Sequence, residues 1–210
     1  MQSLFFTLFK RTPKIEGSLG YFGLDEWWLA TFTENERKYI EVTFKPLGDN
    51  PRSLTQGRIL ETAQTASNLL SCLAGWFEKA EDVSIGKRII EKAIEIAGSK
   101  ILDRHFAYGQ MITNYYHAPG GDSTALELTK FACKKQIILA PQAAKAFRKE
   151  ISFQELPEHK GYERLVMILE KEKNYDEAIQ LCNQAKEQGW QGDWENRIAR
   201  YVQKRNKSTR

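Results

Sequence analysis

Residues 161–189, GYERLVMILEKEKNYDEAIQLCNQAKEQG, constrain the fold more tightly than any other stretch of the chain. Tyr162, Leu165, Val166 and Leu169 recur at helical spacing, Asn174 and Tyr175 interrupt, and Ala178, Cys182 and Ala185 form a second stripe. Two short amphipathic helices joined by a tight turn each present one apolar face. Those faces are buried only if the helices pack on each other and on neighbours. The spacing therefore predicts a helical hairpin that belongs to a larger helical assembly.

The hairpin also serves as a ruler. Its small residues Ala178 and Ala185 lie seven apart, as do Gly86 and Ala93, and Ala125 and Ala132. Counting back nine, thirteen and sixteen residues from the first of each pair gives Leu169, Leu165 and Tyr162 in the template. The same offsets give Phe77, Leu73 and Leu70 before Gly86, and Tyr116, Ile112 and Gly109 before Ala125. Only Gly109 among these is neither apolar nor aromatic, and each intervening segment carries turn-forming or polar residues, as a helical hairpin requires. The stretch at 161–189 resembles one tetratricopeptide repeat: large at Tyr162 and Leu165, Tyr175 at the turn, Ala178 and Ala185 where helices approach closely. It lacks the small residue usual at Val166 and the proline expected near Trp190. The resemblance implies three hairpins stacked as an irregular, short solenoid. Their separations are 39 and 53 residues, against about 34 in regular arrays.

The expected organisation is all-α. A partly irregular lead-in occupies 1–50, a helical repeat domain 51–206 and a basic tail 207–210, with the boundary at the breaker cluster Pro46–Pro51. The first residues hold the apolar run SLFFTLF and a possible short strand. Asp25 caps a short helix through Trp27 and Trp28, a pair expected to anchor a core. Thr33 with Glu36 has capping-box spacing for a helix to about Lys45. The same spacing at Ser53 and Gln56 predicts the longest helix, to about Lys79. Ser84 is read as the cap of a helix over 85–97, and a third helix spans about 100–116. Asp122 caps a helix to about Leu139, and Pro141 begins a separate short helix to about Glu150. Asp193 caps a final helix from Trp194 to about Arg205. No strand is expected beyond the lead-in.

Charge narrows the function. Six of the 31 basic side chains fall in 197–210, where there is no acidic residue, and the remainder is nearly balanced by 27 acids. A nucleic-acid module spreads positive charge over a folded face; here the excess belongs to the tail. Cys72, Cys133 and Cys182 are far apart and in helical contexts, as expected of buried free thiols in a reducing, cytoplasmic compartment. No run approaches the roughly 18 apolar residues of a membrane span. His105, His117 and His159 have no partners at metal-ligand spacing, no nucleophile stands beside Asp103-Arg104-His105, and Pro119–Asp122 lacks the Lys-Ser or Lys-Thr of a phosphate loop. No metal, cofactor or catalytic residue is assigned.

The resemblance implies that the first helix of each hairpin lines a groove for a partner peptide or protein segment. By offset, the lining comprises Asn68, Ser71, Gln110, Asn114, His117, Lys160, Arg164 and Met167. Lys160 and Arg164, one turn apart, match the basic pair of a clamp that some such proteins close on a C-terminal carboxylate, and such a pair can hold an anion through charge-assisted hydrogen bonds. The clamp is half present: its first-repeat Lys and Asn correspond to Ser71 and Gly75, and its second-repeat Asn to Met111. The competing expectation is a solvated face paired with nearby glutamates. The chain is therefore expected to be a protein-interaction module or adaptor. Two alternatives remain, a nucleic-acid-associated adaptor using the basic C-terminal helix, and an enzyme whose site is scattered through the sequence.

Overall fold

The structure is a computed structural model that describes residues 15–46, 53–79, 81–116, 123–150 and 155–208. The chain divides into two compact units, 1–62 and 63–210.

In the first unit, α1 (Gly17–Tyr21), α2 (Asp25–Thr31) and α3 (Glu34–Thr43) follow one another. Thr33 and Glu36 form the expected capping box, each side chain meeting the other's backbone N–H. Trp28, Phe32 and Ile40 are buried, and Trp28 and Phe32 rings meet at 5.2 Å. The helix expected to start at Ser53 does not form. Instead 53–57 runs back along α1, where Ser18 and Leu19 N–H donate to the carbonyls of Ser53 and Leu54, and Glu16 and Gly17 donate to those of Thr55 and Gly57. Leu54 is buried by this pairing. Gly17 has φ +60°, and a Cβ there would stand 2.4 Å from the Ser53 carbonyl oxygen, so only glycine permits the approach. The unit boundary thus lies beyond the breaker cluster, because 53–57 is bonded to the residues before it.

The second unit contains α4 (Ala66–Ala74), α5 (Val83–Ile96), α6 (Ile101–Tyr116), α7 (Ser123–Glu150), α8 (Lys160–Lys171), α9 (Tyr175–Gln188) and α10 (Trp194–Ser208). Helix α4 packs on α5, α6 on both of these, α7 on α6, α8 on α6 and α7, α9 on α8 and α7, and α10 on α9. Thr65 starts α4 by accepting the Asn68 N–H at 3.1 Å, far inside the span expected to be helical from Ser53. The helix ends in a tightened turn through Phe77 that leaves the carbonyls of Ala74 and Phe77 pointing toward α6. Asn114, fully buried, donates to both at 3.0 and 3.2 Å. Helix α5 starts at Val83 after Asp82, so Ser84 lies inside it rather than capping it. Asp122, the other expected cap, lies outside the described residues.

Pro141 does not divide α7, which is continuous over 28 residues. Its side chain is exposed, while Leu139, Ala140, Ala143, Ala144 and Phe147 are buried around it. Packing on both sides of the proline holds the helix together although one backbone hydrogen bond is missing.

Two short strands that were not expected, β1 (Leu156–Glu158) and β2 (Trp190–Gln191), pair in parallel and place Leu156 beside Trp190. The last hairpin is the most regular. Asn174 accepts the Glu177 N–H at the start of α9, and Gly189 closes it with φ +84°. Tyr201 is buried against α9, its ring stacked with Tyr175 at 6.4 Å. Of the residues singled out by the ruler, every one is buried except Tyr116, which is half-buried. The exception in character, Gly109, also has its reason: a Cβ there would stand 2.8 Å from the Gln136 amide.

Candidate partner-binding groove

Helices α4, α6 and α8 bring one wall of polar side chains to a shared cleft of about 400 Å³. Four of the expected groove residues line it: Asn68 and Ser71 from α4, Gln110 from α6 and Lys160 from α8. Phe106 and Phe147 supply apolar wall, with Cys72, His105, Gln136 and Glu158 between them. Phe106, 40% exposed, stands one turn before Gln110, and that spacing is the signal that could have identified it from sequence.

The remaining expected residues divide. Asn114 is a correction: it carries no exposed surface, its amide nitrogen is spent on the α4 carbonyls, and its oxygen accepts from Gln110 Nε2 at 3.0 Å. It therefore fixes α6 against α4 instead of facing a partner. Arg164 and Met167 lie outside the cleft proper but share the α8 face of Lys160, since offsets of four and seven residues fall within about 60° on a helix. His117 lies outside the described residues.

The basic pair is not neutralised by glutamates. Lys160 Nζ donates to Thr113 Oγ1 at 2.9 Å, and the Arg164 guanidinium lies 3.7 Å over the Tyr116 ring. Lys171, one further position on the same face, reaches the Tyr116 hydroxyl at 3.5 Å. Burial alone would raise the Tyr116 phenol, yet hydrogen bonds and charge from Arg164 and Lys171 bring it below its ordinary value. Among the described residues none of these three cations is ion-paired with a carboxylate.

Four basic residues of α10 are the opposite. Arg200 and Lys204 both bind Glu170, at 3.0 and 2.7 Å; Arg205 binds Asp176 at 2.8 Å, and Arg197 approaches Glu163 at 3.6 Å. Trp190 and Trp194 are buried, with Trp194 Nε1 donating to the Trp190 carbonyl at 2.7 Å, so they cover the last hairpin.

Beneath the cleft lies an aromatic cluster that no spacing in the chain reveals. His105 stacks on Trp190 at 5.6 Å and meets His159 at 5.1 Å and Phe147 at 5.4 Å. His159 Nδ1 accepts the Tyr162 N–H at 3.2 Å and caps α8, which leaves its Nε2 without a partner, as is His105 Nδ1. Burial pushes His105 down to about 4; burial first, then repulsion from His105, pushes His159 down to about 3. Both rings are therefore neutral. Gln136 ties the cluster together, donating to the His105 carbonyl at 2.9 Å and accepting the Gly161 N–H at 2.7 Å.

The cleft also holds titratable groups, but they are not arranged as a nucleophile and its base. Burial raises the Cys72 thiol, Ser71 Oγ has no hydrogen-bond partner, and His105 bonds neither of them among the described residues. Cys72 is exposed on the cleft wall, in contrast to the buried thiol expected, whereas Cys133 and Cys182 are buried. No group of three or more potential metal ligands occurs among the described residues, and no helix among them is long and apolar enough to cross a membrane.

A second depression, of about 580 Å³, lies beside β2 among Arg148, Glu155, Lys186 and Trp194. Its cations are occupied: Lys186 by Glu195 at 2.5 Å and Arg148 by the Gln188 carbonyl at 3.1 Å. No family model, curated protein or solved structure matches the chain.

Proposed function

We propose that residues 63–210 form a short tetratricopeptide-like array that acts as a protein-interaction module, docking a partner segment in the groove lined by α4, α6 and α8. The observation that carries this is the convergence of Asn68, Ser71, Gln110 and Lys160, drawn from three separate hairpins, on one cleft with exposed apolar wall. Burial at the ruler positions and the packing order of the helices support the repeat architecture. The cleft volume suits one or two side chains of a bound segment, with polar groups at its rim fixing orientation. Apolar contact supplies affinity, and Lys160 with Arg164 supplies preference for acidic groups.

Reversing both charges tests this. Lys160→Glu with Arg164→Glu is expected to abolish capture of the partner from an extract of the source organism while the helical circular-dichroism spectrum stays unchanged. Undiminished capture by the folded double variant removes the groove assignment.

A further inference from the structure

Lys160, Arg164 and Lys171 lie on one face of α8, and their contacts give the groove a second, purely electrostatic part. Other basic side chains of this unit are neutralised by carboxylates, among them Lys130 by Glu172 at 2.6 Å, Arg200 and Lys204 by Glu170, and Arg205 by Asp176. The three cations of the row instead rest on Thr113 and Tyr116 of α6, which offer neutral oxygens and a ring face. A ligand carboxylate can take each of these contacts without displacing an ion pair.

The row is extended, not convergent. Lys160 and Lys171 are separated by about 16 Å along α8, with Arg164 about 6 Å from Lys160, at about 1.5 Å per residue. A single terminal carboxylate spans one of these positions at most. An extended segment advances about 3.3 Å per residue with alternate side chains on one face, so acidic side chains two residues and about four to six residues after the first match the three cations. The 400 Å³ cleft opens at the Lys160 end of the row, where Phe106 and Phe147 form its apolar wall.

We infer that the partner is an extended acidic segment: an apolar anchor residue enters the cleft, and two or three side-chain carboxylates on its far side pair with Lys160, Arg164 and Lys171. A nucleic-acid backbone suits the surface less well. Glu158 lines the cleft, so a continuous polyanion meets repulsion there that a segment with an apolar anchor at that point avoids. The inference rests on the proposed groove and adds the ligand's chemistry and register.

The test is panning of a random twelve-residue peptide display library on the full chain. Recovered sequences are then synthesised with amidated C-termini and titrated by fluorescence anisotropy. Enrichment of an aromatic or aliphatic residue followed by at least two Asp or Glu, with affinity lowered about fivefold by Lys171→Gln and a weaker salt dependence in that variant, is the expected result. Recovered peptides without acidic residues, whose binding is lost in Phe106→Ala and unchanged in Lys171→Gln, overturn the acidic register but leave the groove standing. No enriched peptide, or peptides insensitive to both substitutions, removes the groove and the inference together. Tighter binding of a ten-residue oligouridylate than of any peptide, reduced by Lys171→Gln, also overturns the inference. Unchanged circular dichroism of each variant separates lost binding from lost folding.

Discussion

Acidification is expected to loosen the second unit through two rings, His105 and His159. Both are nearly without exposed surface, 4% and 0%, and both are held neutral, His105 at about 4 and His159 at about 3. In the unfolded chain each titrates near 6.5. Between those limits the unfolded state binds more protons, so stability rises with pH: the contribution is complete above about 6.5 and is lost as pH falls toward the folded values. Each ring contributes about 1.4 kcal/mol per pH unit in that window, so the pair gives about 2.7 kcal/mol per unit and about 4 kcal/mol between pH 7.5 and pH 5. That is a large part of a typical domain stability of about 5–15 kcal/mol. Urea unfolding of the full chain, followed by circular dichroism at half-unit steps from pH 7.5 to 5, measures it. His159→Asn keeps an acceptor for the Tyr162 N–H, as a good N-cap does, while removing one titration. Its slope is expected to be about half that of the parent. A urea midpoint that does not move between pH 7 and pH 5 in the parent refutes the buried neutral pair.

Three further substitutions probe the packing. Asn114→Ala removes two buried hydrogen bonds, to the carbonyls of Ala74 and Phe77, and is expected to cost about 2–3 kcal/mol, read as a lower thermal midpoint. Gly86→Ala should destabilise by about 1–3 kcal/mol despite alanine's helix propensity, because its Cβ would lie 2.5 Å from the Phe77 carbonyl oxygen; a raised midpoint contradicts the close approach of α4 and α5. Glu170→Gln releases Arg200 and Lys204 from α8 and should cost about 1 kcal/mol at low salt, with the difference shrinking at high salt.

What could be read from sequence depended on whether the determining contacts were local. Helices α8 and α9 were legible because their apolar periodicity and the interruption at Asn174 and Tyr175 lie within the segment they define. The Thr33–Glu36 capping box was legible for the same reason. The identical spacing at Ser53 and Gln56 misled, because the backbone there is taken by α1, some 35 residues earlier. Pro141 misled in the opposite sense, since burial of its neighbours on α7 outweighs one missing hydrogen bond. Asn68, Ser71, Gln110 and Lys160, named by offset alone, line one cleft because each stands on a face of α4, α6 or α8 set by its own helical periodicity. Asn114 was not, because an exposed amide and a buried amide look the same in a sequence until the carbonyls it serves are known. The His105–His159–Trp190 cluster draws on α6, the residue before α8, and β2. The pairing of β1 with β2, invisible in two such short strands, brings His159 to Trp190, and Gln136 of α7 joins them to His105.

Mapping of the groove by nuclear magnetic resonance tests the central proposal most directly. The isotope-labelled chain of residues 1–210 titrated with a peptide recovered by panning is expected to show shift changes concentrated at Asn68, Phe106, Gln110, Thr113, Lys160, Arg164 and Met167. Changes confined to α10, or to the depression around Trp194 and Gly192, contradict a groove formed by α4, α6 and α8.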